Sequence, residues 1–206
     1  MVAAVHGELA RVALLYGQVV ALMNPFTAVN NYLTLTDGLS RGESRAIVWK
    51  AVTVVLLLGS LFILAGRLIL EFYHLSLSAL RFGGGVLLLY VALDMLSGSP
   101  KTKRVEPGEL AVVPLATPMI VGPGTMTLLI NLGATESPAL VMAAFLLGAA
   151  TVTAALWLSG LLVRLLGMTG VKAMARFMAL IIAGVAAEML HSAIAGWAAE
   201  MLAAAR

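Results

Sequence analysis

The fold depends on a polar segment near the N-terminus, Met-Asn-Pro-Phe-Thr-Ala-Val-Asn-Asn-Tyr-Leu-Thr, residues 23–34. It places Pro25 and three asparagines within sequence that is otherwise apolar enough to cross a membrane. Proline removes one helical hydrogen bond and blocks another, and hydrocarbon cannot satisfy side-chain amides. The segment therefore indicates either a broken helix that lines a binding site at mid-membrane depth or a kink that neighbouring helices pack against.

The composition is that of a polytopic membrane protein. Of 206 residues, 61% are hydrophobic and only 11% are charged, whereas about 25% of residues are charged in soluble domains. The chain contains no cysteine, which excludes disulfides, thiolate metal sites and cysteine nucleophiles. Its basic residues are scattered between apolar segments rather than gathered on one face, so we expect no nucleic-acid partner. The partner that the composition does imply is the lipid bilayer.

Six apolar segments are long enough to cross a hydrocarbon core of about 30 Å, which predicts an all-α fold with six transmembrane helices. These segments cover residues 10–36, 46–70, 75–96, 110–132, 138–165 and 171–197. The first and the fourth are expected to be broken, the fourth at the run Gly122-Pro123-Gly124-Thr125. A hydrophilic segment divides the chain, which predicts a first three-helix repeat at 1–96, a cytoplasmic linker at 97–109 and a second repeat at 110–206.

The two halves align with each other. Asn24-Pro25-Phe26-Thr27 matches Gly122-Pro123-Gly124-Thr125, and further matches follow at Arg67 with Arg164, Arg81-Phe82 with Arg176-Phe177, and Asp94-Met95-Leu96 with Glu188-Met189-Leu190. Because each unit has an odd number of spans, the second lies upside down relative to the first, which predicts inverted repeats. Chance similarity between apolar helices is the alternative.

The distribution of basic residues predicts the orientation. Nine lie on one side and four on the other; the nine are Arg41, Arg45, Lys50, Lys101, Lys103, Arg104, Arg164, Lys172 and Arg176, and the four are Arg11, Arg67, Arg81 and Arg206. Cytoplasmic loops carry an excess of Lys and Arg. We therefore expect a multi-pass protein of the cell membrane with both termini outside the cytoplasm.

Both breaks have the chemistry of a helix start. Pro25 and Pro123 suit the first helical position, and Asn24 and Gly122 suit the N-cap. The first turn of such a half-helix exposes N–H donors and the positive end of the helix dipole, which favour a carboxylate. The candidate substrate-binding residues are Asn24, Pro25, Thr27, Asn30, Asn31, Gly122, Pro123, Gly124, Thr125, Thr127 and Asn131.

Asparagine supplies a further pattern, because the only four in the chain lie in or beside the two breaks. They either line a ligand path or bridge neighbouring helices and satisfy backbone groups freed by proline. Neither break contains Asp or Glu, so a ligand ammonium would have to meet carbonyl, amide or hydroxyl oxygens. This pattern favours a neutral ligand over a cationic one.

Two acidic residues are candidates for proton coupling. Glu188 lies nine residues, or about 14 Å, inside Trp197, where an unpaired charge is costly. Asp94 is its counterpart in the repeat and lies nearer the cytoplasmic end. His191 lies one turn from Glu188, so a simple structural pair between the two is equally compatible with the sequence. Arg81 and Arg176 lie close to helix ends, so we expect them to act as anchors or latches rather than as substrate contacts.

The motifs resemble the MarC family of integral membrane proteins. The resemblance rests on Asn24-Pro25 with its polar run, on Pro114-Leu115-Ala116-Thr117-Pro118 and on Gly122-Pro123-Gly124-Thr125, and it covers nearly the whole chain. It implies a six-helix bundle with inverted repeats and transport of small neutral amino acids such as glycine or alanine, coupled to protons. Only the two break motifs are carried over to residues of this chain. Glu188 is an inference from its depth.

The remaining function classes can be ordered by what the sequence lacks. There is no phosphate loop, so we expect an ion gradient rather than ATP to drive transport. The three histidines are dispersed and no protease or hydrolase motif is present, so we expect no enzyme, no cofactor and no metal. The leading prediction is a secondary transporter with a small neutral amino acid and H+ as its partners. A channel or an exporter of another small solute is the alternative, and the oligomeric state is left open.

Overall fold

The computed structural model describes residues 2–97 and 120–204. In these ranges the regular elements are all helical. They are α1 (Val2–Met23), α2 (Pro25–Leu35), α3 (Arg41–Phe72), α4 (Leu77–Ser97), α5 (Pro123–Thr135), α6 (Pro138–Trp157) and α7 (Ser159–Ala204). The predicted linker beyond Ser97, the first part of the predicted fourth span and the motif at Pro114 to Pro118 lie outside the described residues.

The predicted break in the first span is confirmed, because Asn24 separates α1 from α2. For the second break the structure confirms the predicted helix start, since α5 begins at Pro123 with Gly122 as its N-cap, and the part of the span before Ile120 lies outside the described residues. Helix α3 begins five residues before the predicted start at 46. The reason is a capping box, in which Ser40 and Glu43 each bond the other's backbone N–H.

Five helical segments of the described ranges are long and apolar enough to cross a membrane. They are Glu8–Leu35, Arg41–Phe72, Leu77–Ser97, Pro138–Trp157 and Ser159–Ala203. The last is interrupted at Gly167, whose φ of 69° departs from helical geometry. The predicted boundary between the fifth and sixth spans falls at this point. Leu158 forms a second, gentler interruption, because its N–H still bonds the carbonyl of Ala154.

Two helix pairs run antiparallel along much of their length. In the first pair, α3 and α6, the rings of Trp49 and Trp157 meet at 5.5 Å, and Gly59 lies against Phe145 further along both helices. In the second pair, α4 and α7, Ser78 meets Gly196 and Gly85 meets Leu190. Glycine permits these close approaches because it has no Cβ.

The other contacts place the half-helices against the bundle. Helix α1 packs against α6, α2 against α7 and α6, and α5 against α3 and α4. The buried core runs through this set and includes Val19, Val29, Phe145 and Ile182. Large apolar side chains such as Leu57, Leu64 and Leu68 of α3 cover the outer surface. This distribution suits a bundle whose surroundings are hydrocarbon.

Candidate functional site

The first break is capped by its own side chain. Asn24 has a left-handed backbone with a φ of 42°, a conformation that asparagine adopts more readily than most residues. Its Oδ1 accepts a hydrogen bond of 3.0 Å from the N–H of Thr27, and its backbone N–H still bonds the carbonyl of Val20. The residue is 4% exposed. Asn24 therefore ends one helix and begins the next, and its amide oxygen is used by the protein itself.

The second break has no such cap. Gly122 is extended and offers no side chain, and its carbonyl accepts the N–H of Met126 at 2.9 Å. The hydroxyl of Thr125 donates to the carbonyl of Ile120 at 3.2 Å. The backbone N–H groups of Gly124 and Thr125 have no acceptor among the described residues, although both residues are buried. The N-terminus of α5 thus presents two buried donors at the positive end of a helix dipole.

One face of α4 joins the two breaks. Leu88 lies directly against Gly124, and Thr127 lies against Gly84 one turn away. At the other end of the same face, the sulfur of Met95 lies 4.0 Å from Nδ2 of Asn24. Leu88 and Met95 are seven residues apart, so the two contact points are separated by about 10 Å along the axis of α4. The breaks are therefore neighbours on a common wall.

The sequence analysis did not select these α4 residues. Gly84, Leu88, Ala92 and Met95 follow the spacing of one helix face, and the first three are buried. This spacing can be read from the sequence, but an apolar stripe on a transmembrane helix ordinarily indicates core packing rather than a binding site. Two glycines of α4 permit close approach, because a Cβ at Gly84 would meet Thr127 and a Cβ at Gly85 would meet Leu190.

The other predicted asparagines contact protein groups. Oδ1 of Asn131 accepts a hydrogen bond of 2.7 Å from Nε of Arg81, which links α5 to α4. Nδ2 of Asn30 donates to Oδ1 of Asn31 at 3.4 Å on α2. Asn131 thus bridges two neighbouring helices, which is the alternative to a ligand path given in the sequence analysis.

The two acidic candidates lie in different surroundings. Asp94 is half-buried and directly precedes Met95, which places it close to the first break along α4. Glu188 lies on the outer face of α7, where its side chain is 78% exposed and its carboxylate lies 3.9 Å from Nδ1 of His191. The structure places Glu188 away from both breaks, and its part in proton coupling stays a prediction.

Buried helix breaks, several helices long and apolar enough to cross a membrane, and an apolar outer surface define a polytopic integral membrane protein. Residues 11–198 match the family model described as MarC family integral membrane protein. The chain belongs to the MarC family.

Curated relatives have comparable lengths. A UPF0056 membrane protein of Methanocaldococcus jannaschii is 32% identical over 189 residues, which cover 86% of this chain and 92% of that protein. The UPF0056 membrane protein YvbG of Bacillus subtilis is 31% identical, with 82% and 87% covered. The UPF0056 inner membrane protein YhgN of Escherichia coli K12 is 31% identical, with 82% and 89% covered. No solved structure matches the chain.

Proposed function

We propose that the protein is a secondary transporter for small neutral amino acids of the size of glycine or alanine. The observation that carries the proposal is the N-terminus of α5, which has no side-chain cap and at which the buried N–H groups of Gly124 and Thr125 have no acceptor among the described residues. Unpaired buried donors are costly, and a substrate carboxylate would satisfy both of them. The hydroxyls of Thr125 and Thr127 lie on the same turn.

The surroundings of this site favour a small ligand. Leu88 packs against Gly124 closely enough that a Cβ at position 124 would meet its side chain. The ammonium group of a zwitterion would meet carbonyl or hydroxyl oxygens, because neither break carries an acidic side chain. A ligand with a long side chain would have to displace Leu88. Glycine and alanine have the smallest side chains among the amino acids and therefore fit beside Leu88 without displacing it.

Three features support inverted repeats. The counterpart helices α3 and α6 run antiparallel, as do α4 and α7. The contact of α2 with α6 corresponds to that of α5 with α3, and the contact of α2 with α7 corresponds to that of α5 with α4. Each half also carries a proline-started half-helix. Repeats of this kind suit alternating access around a central site.

The two halves differ at their matched arginines. Arg81 of α4 is half-buried and bonded to Asn131, whereas Arg176 of α7 is exposed and has no polar partner in the part of the chain that the structure describes. We interpret this difference as a bundle that is closed at the end that contains Arg81 and open at the end that contains Arg176. On the proposed orientation, with both termini outside, the closed end is extracytoplasmic. Proton coupling is proposed as the driving force, with Asp94 or Glu188 as carriers.

The test is uptake of labelled glycine by purified protein in liposomes with an imposed proton gradient. The Thr125→Val variant removes a hydroxyl at the second break and should reduce uptake about tenfold or more. Thr153→Val is the matched control, because its hydroxyl also bonds a backbone carbonyl but lies on α6 outside the site. Equal uptake by both variants and the wild type would refute the site. Trans-stimulation by unlabelled glycine separates a transporter from a channel, which has none.

A further inference from the structure

The outer face of α7 carries two ionisable side chains at the centre of its span. Glu188 and His191 are each 78% exposed, and together they form a single pair on the helix surface at 3.9 Å. The residues around them on this face are small or apolar, and they include Gly184, Ala187, Ile194 and Ala195. We call residues Gly184, Ala187, Glu188, His191 and Ala195 the α7 face.

The depth of the pair follows from the neighbouring helix. Helix α4 has 21 residues, so it spans about 31 Å, close to the thickness of the hydrocarbon core. Because α7 runs antiparallel to α4 and places Ala186 and Leu190 against Gly85, Glu188 lies level with Gly85. Gly85 is two residues, or about 3 Å, from the midpoint of α4. The pair therefore lies near the bilayer centre.

Lipid is a poor environment for this pair. Ionisable side chains in transmembrane helices almost always face a bundle interior or a cavity, and exposure of one at the bilayer centre costs several kcal/mol. The contact within the pair leaves most of both side chains uncovered. Something other than hydrocarbon must cover the α7 face.

We propose that a second copy of this chain covers it, in a dimer whose two-fold axis is normal to the membrane. The pair is self-complementary, because it presents an acceptor and a donor three residues apart on one face. In a parallel helix pair, Glu188 of each chain can accept from His191 of the other, with an axial offset of about 4.5 Å. Gly184 has open space beyond its Cα and, with Ala187 and Ala195, lets the two helices approach closely.

The spacing supports the same arrangement. Gly184, Glu188, His191 and Ala195 recur at intervals of four, three and four residues, which is the seam spacing of a left-handed helix pair. This face is opposite to Ala186, Met189 and Ala193, which are buried within the protomer. The dimer therefore uses a surface that the breaks and α4 do not need. It does not depend on the transport activity proposed above.

Engineered cysteines test the contact directly, because the chain has none of its own. A Gly184→Cys variant of the full chain in lipid vesicles should form a disulfide-linked dimer under mild oxidation. The control is Leu57→Cys, at the middle of α3 and 67% exposed, which should stay monomeric. Cross-linking at both positions to the same extent, or at neither, would overturn the proposal.

Residue exchange tests the pairing without a bulky change in the interface. Dimerisation of dye-labelled protein in vesicles is measured by energy transfer at increasing dilution. Glu188→His and His191→Glu alone should each weaken the dimer about tenfold or more, and the double exchange should restore it. Wild-type protein that is monomeric at all dilutions would overturn the proposal. Failure of the double exchange to restore association after both single losses would also overturn it.

Discussion

Nε of Arg81 donates a hydrogen bond of 2.7 Å to Oδ1 of Asn131, and this bond fastens α5 to α4 at the end away from the break. The contact lies two turns beyond Gly124, on a helix whose start forms the proposed carboxylate site. A movement of α5 relative to α4 must break it. The bond, here called the Arg81–Asn131 latch, therefore couples the position of α5 to the state of one end of the bundle.

Removal of the latch should open that end. A hydrogen bond to a charged group contributes about 1.5–3 kcal/mol, and 1.4 kcal/mol is a factor of ten. We expect Arg81→Ala to raise the rate at which a water-soluble thiol reagent modifies a Thr125→Cys reporter about tenfold. Arg176→Ala is the matched control and should not raise it, since Arg176 has no polar partner among the described residues. Equal rates in all backgrounds would refute the latch.

The left-handed conformation of Asn24 makes a prediction about stability. Asn24→Gly keeps the backbone conformation and loses the cap, whereas Asn24→Ala loses the cap and adds strain. Replacement of an asparagine N-cap costs a few tenths of a kcal/mol for Gly and about 1 kcal/mol for Ala, and the left-handed backbone adds about 1 kcal/mol or more for Ala. The midpoint temperature of thermal unfolding in detergent should be highest for the wild type, lower for Asn24→Gly and lowest for Asn24→Ala. A variant order with Ala above Gly would contradict the role of the backbone conformation.

Close packing of α3 and α5 can be tested at a glycine. A Cβ at Gly133 would lie 2.7 Å from the backbone carbonyl oxygen of Ile63, which no side-chain rotation relieves. Gly133→Ala should therefore lower the free energy of unfolding by about 1–3 kcal/mol. Gly83→Ala is the control, since no atom lies within 4 Å of its Cβ position and alanine is the better helix former. Chemical unfolding monitored by tryptophan fluorescence measures both.

Leu88 should restrict the size of the substrate. It packs against Gly124 at the start of α5, so Leu88→Val creates space for about one additional methylene group. One methylene in an apolar pocket changes specificity by about 1–3 kcal/mol. We expect the ratio of alanine to glycine uptake to rise at least severalfold. Leu89→Val, on the outer side of α4, should leave the ratio unchanged. An unchanged ratio in both variants would place the substrate elsewhere.

The sequence by itself determined the membrane class and the positions of both breaks. Length and hydropathy determine which segments can cross a bilayer, and proline after Asn24 or Gly122 determines where a helix restarts. These are local properties, because chain geometry and backbone hydrogen bonding act over a few residues. The capping box at Ser40 and Glu43 was equally readable, and α3 begins there rather than at 46.

Only the tertiary structure decided what the polar side chains contact. The sequence predicted the cap at Asn24, which is a local contact, but it grouped all four asparagines as one set of binding candidates, and only the packing of α5 beside α4 brings Asn131 to Arg81. The tertiary structure also places Glu188 on the outer face of α7, whereas its depth in the sequence had indicated a role in proton coupling. Depth follows from position along the chain, but the direction in which a side chain points depends on which helix packs beside it. That choice is made by long-range contacts such as Gly85 with Leu190, which no local pattern encodes.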